Sequence, residues 1–271
     1  MAIRTTSNAA RAADAGLGSR RSAEPPPLYA FDADIGRLAI TTPRYSTAIV
    51  PVNQGAFDYG GLELARLVDR DTQIAGSLGG VRSGAFGVRV TRGARMLAET
   101  QRGRLGAPPR RAPLQLTASP RGAVRRAKRF PAFPDAGPFR VLRARGRTQG
   151  RGVTVTTDHR FDARSITTTW SVHRAGARGP LTVEVRFPTS GAHGGPADGT
   201  PGTVQSGTVL DLRSPPTRYR VALEKVPAGA TLLTVRPGRS KGNPRPGRTA
   251  VVRFTLPAGQ RRAVVRARVL P

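Results

Sequence analysis

An antiparallel all-β sandwich with little helix is the fold this sequence predicts, either as one large supersandwich or as two packed β units. Three observations carry that expectation. From Leu28 onward, short apolar runs of strand length are separated by Gly, Pro and Asp punctuation. Two of the runs, Val153 to Phe161 and Ile166 to His173, alternate inward and outward residue types with a period of two. At 271 residues the chain is long enough to bury a real core, in a size range where all-β domains often stay single.

Residues 1–27 are rich in Ala, Arg and Ser and end in Glu24-Pro25-Pro26-Pro27, the composition of a disordered N-terminal segment. The segment has no apolar stretch of the length a secretory signal needs, and no later stretch approaches a membrane span, so no export signal is expected on the chain as written.

Residues 28–102 form a first β region. Leu28 to Phe31 and Arg37 to Thr42 read as a hairpin around the Asp32-Ala33-Asp34-Ile35-Gly36 turn, and Tyr45 to Val52 as a third strand. Asn53 to Asp69 breaks the pattern at Gly55, Gly60 and Gly61. It reads as an ordered loop in which Leu62 to Leu67 makes one helical turn.

Residues 103–137 are crowded with Pro and Arg, including Pro108-Pro109-Arg110-Arg111 and Arg125-Arg126-Ala127-Lys128-Arg129, and read as a connector. Residues 138–271 hold the C-terminal sandwich. Its strands are Phe139 to Ala144, Val153 to Phe161, Ile166 to His173, Leu181 to Phe187, Tyr219 to Leu223, Leu232 to Arg236, Ala250 to Leu256 and Ala263 to Leu270. Gly191 to Gly202 and Pro237 to Gly247 are Gly/Pro-rich loops between them.

Composition closes several functional classes. The chain has no cysteine and three histidines, which removes disulfide staples and thiolate sites and leaves few soft metal ligands, so no metal and no cofactor is expected. No nucleophile elbow, P-loop, Rossmann fingerprint or H-E-x-x-H sequence is present, and Gly76-Ser77-Leu78-Gly79-Gly80 lacks the lysine of a phosphate loop. The net charge of +29 should attract polyanions, phosphate, sulfate and uronate polymers alike. Lysine occurs only at Lys128, Lys225 and Lys241, an arginine bias that a GC-rich genome also produces.

The four-residue connection Asp162 to Ser165 sets a register in which Phe161 faces Ile166, His159 faces Thr168, Thr157 faces Trp170 and Val155 faces Val172. His159 then lies among apolar neighbours, with Val153, Val155, Phe161, Ile166, Trp170 and Val172. It reads either as a core histidine satisfied by a backbone or hydroxyl partner, or as a general base whose pKa burial has moved. His173 takes the opposite face, so the two cannot hold one ion, and His193 sits in a Gly-rich loop. The carboxylate pairs Asp32/Asp34 and Asp69/Asp71 have the residue types of an acid–base couple, but in turns such residues are usually turn-formers.

Thr41 to Gly61 gathers Arg44, Tyr45, Asn53, Gln54, Phe57 and Tyr59 in an otherwise aromatic-poor chain, a mixture suited to sugar recognition by ring stacking and amide hydrogen bonds. This segment and the Leu62 to Leu67 run after it resemble the β-domain of large actinobacterial proteins related to heparinase-type polysaccharide lyases. Thr157-Asp158-His159-Arg160-Phe161 and Ser165-Ile166-Thr167-Thr168-Thr169-Trp170 resemble the sandwich strands of that group.

In those enzymes a helical toroid supplies most of the active site, including a proton-handling tyrosine, and the sandwich packs on it. The resemblance implies an accessory or structural module facing an acidic polysaccharide or a helical toroid domain through Arg44, Tyr45, Asn53, Gln54, Tyr59 and Arg66. His159 is its outside catalytic candidate, and a full-length relative would be secreted or cell-surface. Two other readings stay open. One is a polyanion or nucleic-acid binder working through Arg125, Arg126, Lys128 and Arg129; the other is a purely structural sandwich.

Overall fold

The computed structural model describes residues 24–32, 37–49, 61–70, 77–78, 86–100, 115–119, 125–126, 135–189, 191–192, 202–214, 217–235 and 248–271. In chain order the strands are β1 (Leu28–Asp32), β2 (Arg37–Thr41), β3 (Tyr45–Ile49), β4 (Leu64–Asp69), β5 (Ser77–Leu78), β6 (Gly87–Arg92) and β7 (Arg95–Glu99). There follow β8 (Gln115–Ser119), β9 (Arg125–Arg126), β10 (Asp135–Pro138), β11 (Val141–Gln149), β12 (Val153–Phe161), β13 (Ile166–Arg174) and β14 (Leu181–Thr189). The last are β15 (Gly191–Ala192), β16 (Gly202–Thr203), β17 (Val209–Ser214), β18 (Thr217–Lys225), β19 (Thr231–Val235), β20 (Arg248–Leu256) and β21 (Arg262–Leu270).

The fold is all-β and antiparallel, and no helix occurs among the described residues. The strands form a nine-stranded sheet, ordered β15-β17-β18-β21-β13-β12-β11-β8-β9, and two six-stranded sheets, β16-β19-β20-β14-β6-β7 and β10-β1-β2-β3-β4-β5.

Alternation decides which face each strand buries. β12 turns Val153, Val155, Thr157, His159 and Phe161 inward, and β13 does the same with Ile166, Thr168, Trp170 and Val172. The second sheet answers with Val88, Val90, Leu181, Val183, Val185, Phe187, Val252 and Phe254, all in one continuous core. Trp170 meets Phe187 edge-on at 6.0 Å between ring centres, and Phe86 sits 6.3 Å from Tyr219 and 6.5 Å from Phe187. Each large apolar side chain withdrawn from water in this way stabilises the fold by about 1.5–3 kcal/mol. The Tyr219 hydroxyl donates to the Pro188 carbonyl, so its polar end is satisfied inside the core.

The register of the β12–β13 hairpin follows its turn. His159 pairs with Thr168, Thr157 with Trp170 and Val155 with Val172, as the Asp162–Ser165 connection requires. Asp162 fixes that turn by accepting from the Arg164 and Ser165 amides at 2.8 and 2.7 Å and from the Ser165 hydroxyl at 2.8 Å.

Leu62 to Leu67 corrects the sequence expectation. Residues 61–63 form a turn and Leu64–Asp69 a strand on β3, rather than one turn of helix. The cause is a bulge: Ala48 pairs with Arg66 but Ile49 with Leu64, leaving Ala65 as the extra residue. The bulge brings Leu64 and Leu67 to the same buried face at a spacing of three, which a sequence reading mistakes for helical periodicity.

Three stretches of the Pro/Arg-rich region are strands. β8 pairs with β11, β9 pairs with β8, and β10 pairs with β1. β6, from the first half of the chain, pairs with β14 from the second.

Candidate functional site

Two features concentrate polar and charged groups: a cluster buried between sheets and a basic outer face. The buried cluster begins at Gly61, whose φ of 68° lets the chain turn so that Leu62 and Glu63 lie over the inner face of β11 and β12. Leu62 occupies the space left by Gly146, where an added Cβ would come within 2.3 Å of it.

Glu63, 1 % exposed, accepts from the Thr157 hydroxyl at 3.0 Å and from Trp170 Nε1 at 3.0 and 3.2 Å. Burial pushes its pKa up to about 7, against hydrogen bonds from Thr100, Trp170 and Thr157 that pull it down. His159, also 1 % exposed, is pushed down to about 4, chiefly by burial, with the Leu62 carbonyl and the Asp158 charge opposing.

His159 Nε2 lies 2.7 Å from the Leu62 carbonyl, which can only accept, so Nε2 carries the proton. Nδ1, 2.8 Å from the Thr168 hydroxyl, is therefore the acceptor. Backbone and hydroxyl thus satisfy both ring nitrogens, the partner set of a core histidine. Glu63 Oε2 stands 4.0 Å from Nε2. This arrangement pins the residue 61–64 segment to the nine-stranded sheet.

Tyr45 corrects a second expectation. It is fully buried, so its ring has no face open to a sugar, and its hydroxyl donates to the Asp162 carbonyl at 2.7 Å and reaches the Ser165 carbonyl at 3.2 Å. The Thr42 hydroxyl accepts the Tyr45 and Arg44 amides at 2.9 and 3.1 Å, which builds the tight β2–β3 turn that aims the ring inward. Burial first, and the Asp162 charge second, hold the phenol well above its ordinary range.

Arg44 is exposed at that turn, and Arg66 is a strand residue of β4. Asn53, Gln54 and Tyr59 lie outside the described residues, as do Lys128, Arg129 and His193. Arg125 and Arg126 form β9 at the edge of the nine-stranded sheet. Asp34 and Asp71 lie outside the described residues. His173 is exposed on the face opposite His159. Among the described residues, no three His, Asp or Glu side chains converge on a point that could hold a metal ion.

The outer face of the nine-stranded sheet assembles a constellation that sequence reading did not single out. Pairing sets Arg143 beside Arg160, Arg160 beside Thr167, and Thr167 beside Arg268 in one row across four strands. The adjacent row runs Arg145, Asp158, Thr169 and Arg266, with Arg147, Thr156 and Ser171 beyond it. The arginines of these rows are exposed and the Thr and Ser side chains half-exposed.

Two carboxylates offset part of the charge: Asp158 takes a two-pronged pair from Arg143, and Glu224 accepts from Arg266 at 3.2 Å. The signal available in the sequence was the Arg-x-Arg-x-Arg alternation of Arg143, Arg145 and Arg147 and of Arg266 and Arg268. Only the pairing shows that they share one face.

No protein-family model matches the sequence, and no curated protein matches it. Among solved structures, 4-α-glucanotransferase from Thermococcus litoralis is similar with a TM-score of 0.54 and 9 % identity, covering 91 % of this chain and 40 % of that one. A heparinase III aligns with a TM-score of 0.40 and 10 % identity over 67 % of this chain and 23 % of its own. A polysaccharide lyase aligns with a TM-score of 0.43 and 10 % identity over 84 % and 32 %. The chain thus spans less than half the length of each of these carbohydrate-active neighbours, and what it shares with the glucanotransferase is the fold.

Proposed function

We propose that this chain is an accessory β-sandwich module of a carbohydrate-active protein, and that it binds acidic polysaccharide on the outer face of its nine-stranded sheet. The observation that carries the reading is the pair of rows in which Arg143, Arg160 and Arg268, then Arg145 and Arg266, flank Thr167 and Thr169. Guanidinium forks suit carboxylate and sulfate groups, and the interleaved hydroxyls both donate to and accept from sugar hydroxyls.

The face is built of regular strands, so its cations stand one to three strand spacings of roughly 5 Å apart across the sheet and can follow an extended polymer. Sequence-tolerant single-strand nucleic-acid binding instead uses aromatic platforms, and the rows of this face carry Arg, Thr, Ser and Asp158. Large exposed apolar side chains among the described residues are Leu28 and Val209, on different sheets, which favours a charged partner over an apolar docking face.

The test is retention of the full chain on heparin and alginate against neutral dextran, at low and high salt, with absorbance followed for unsaturated uronate product. Retention on the acidic polymers that falls steeply with salt, without product, is the expected result. Equal retention on dextran, or tighter binding of single-stranded DNA at matched ionic strength, would overturn it.

A further inference from the structure

A second basic site lies apart from the sheet face, where the β6–β7 hairpin, the β11–β12 turn and the loop after β13 meet. These three segments line an open cleft of about 290 Å³ whose walls include Arg92, Arg95, Arg151 and Arg178, and no carboxylate.

The backbone around it is clamped. The Arg151 amide donates to the Leu97 carbonyl at 3.0 Å, and the Ala175 and Ala177 amides both donate to the Gly152 carbonyl, at 2.9 and 3.1 Å. Gly152 takes a φ of 67°, and a Cβ there would lie 2.6 Å from the Ala177 nitrogen, so the crossing has room only for glycine. Arg92 Nη1 spans to the Arg178 carbonyl at 3.4 Å, tying the hairpin to the loop.

Four exposed arginines are thereby brought to one cleft by three chain segments, and a multiply charged anion would relieve their repulsion. Its volume is at the lower end of ligand pockets, about 300 Å³ and upward, and matches one sugar-sized group. We propose that this cleft binds a single tetrahedral oxyanion, a sulfate or phosphate, free or as the ester of a small sugar. The site uses none of the residues of the polysaccharide face and stands or falls separately from that reading.

Calorimetric titration and thermal unfolding of the full chain with inorganic sulfate and inorganic phosphate, against sodium chloride at matched ionic strength, test it. The expected result is saturable binding near one per chain with a rise in Tm. The double substitution Arg151→Gln/Arg178→Gln should weaken binding about tenfold or more, whereas Arg140→Gln, at an exposed arginine outside both basic sites, leaves it unchanged.

Glucose 6-phosphate and galactose 6-sulfate separate the two sources: an ester that binds tighter than its inorganic anion identifies a sugar ester, and the reverse order a free anion. A response no different from chloride, a double variant that binds like the parent, or glucuronate binding equally well would overturn the proposal. Arg92→Gln/Arg95→Gln removes charge from the hairpin side and repeats the test, should the first pair fail to fold.

Discussion

Trp170 Nε1 donates to both carboxylate oxygens of Glu63, at 3.0 and 3.2 Å, from a strand 107 residues further along the chain. The contact puts a titratable acid beside the Trp170 ring, with His159 4.0 Å away, so two titratable groups sit together at the sheet junction.

Glu63 holds its proton more tightly in the folded chain, at about 7 against an ordinary 4.5. Its contribution to stability is fully present below about pH 4.5 and is lost as pH rises through 7. His159 behaves oppositely: lowered from 6.5 to about 4, its contribution is present above 6.5 and is lost as pH falls through 4. Between about pH 4.5 and 6.5 the two slopes oppose each other, and the pair leaves stability nearly flat. Glu63→Gln should uncover the histidine slope, with stability climbing by roughly 1 kcal/mol per pH unit from 4 to 6.5. Urea midpoints across that range measure it, and a variant profile parallel to that of the parent would refute the assignment.

Gly146→Ala should destabilise by about 1–3 kcal/mol, because its Cβ would meet Leu62 Cδ1 at 2.3 Å in a packed interior. Since the clash is with one side chain, adding Leu62→Ala should recover part of the loss, a coupling that a double-mutant cycle in urea reads directly. Strict additivity of the two substitutions would show that the backbone, rather than Leu62, takes the strain.

Tyr45→Phe keeps the buried ring and removes the hydroxyl that donates to the Asp162 carbonyl, at an expected cost of about 1–2 kcal/mol. Retention on acidic polysaccharide should not change, because the ring lies inside the protein. Weakened retention at unchanged stability would return Tyr45 to a binding role.

Arg174 donates to five backbone carbonyls: Ala177 and Gly179 in the loop after β13, and Leu256, Pro257 and Gln260 around the β20–β21 turn. Lysine retains the charge but presents a point cation rather than a planar fork, so Arg174→Lys should still lose about 2 kcal/mol or more. Thermal unfolding of the Lys and Ala variants checks this, and a Lys variant as stable as the parent would show that charge alone suffices.

Much of the fold was legible in the sequence where the determinants are local. The Asp162–Ser165 turn and the period-two alternation on either side of it specify the β12–β13 register, because a slip of one residue would send Phe161, Ile166 and Trp170 into water. β4 was not legible, since the bulge at Ala65 breaks that period. The partners of His159 belonged to the same limit. The sequence placed the ring on an apolar face opposite Thr168, while the Leu62 carbonyl arrives from 97 residues away.

By itself, the sequence determined the all-β class, the inward and outward faces of its clearest hairpin, and the excess of arginine over acid. Tertiary structure alone decided that Tyr45 points inward, that Glu63 is buried beside His159, and that arginines from β11, β12 and β21 share one face. The physical reason is the range of the forces involved. Alternation and turn chemistry act between neighbours in the chain, whereas burial, pKa and charge density are sums over neighbours in space.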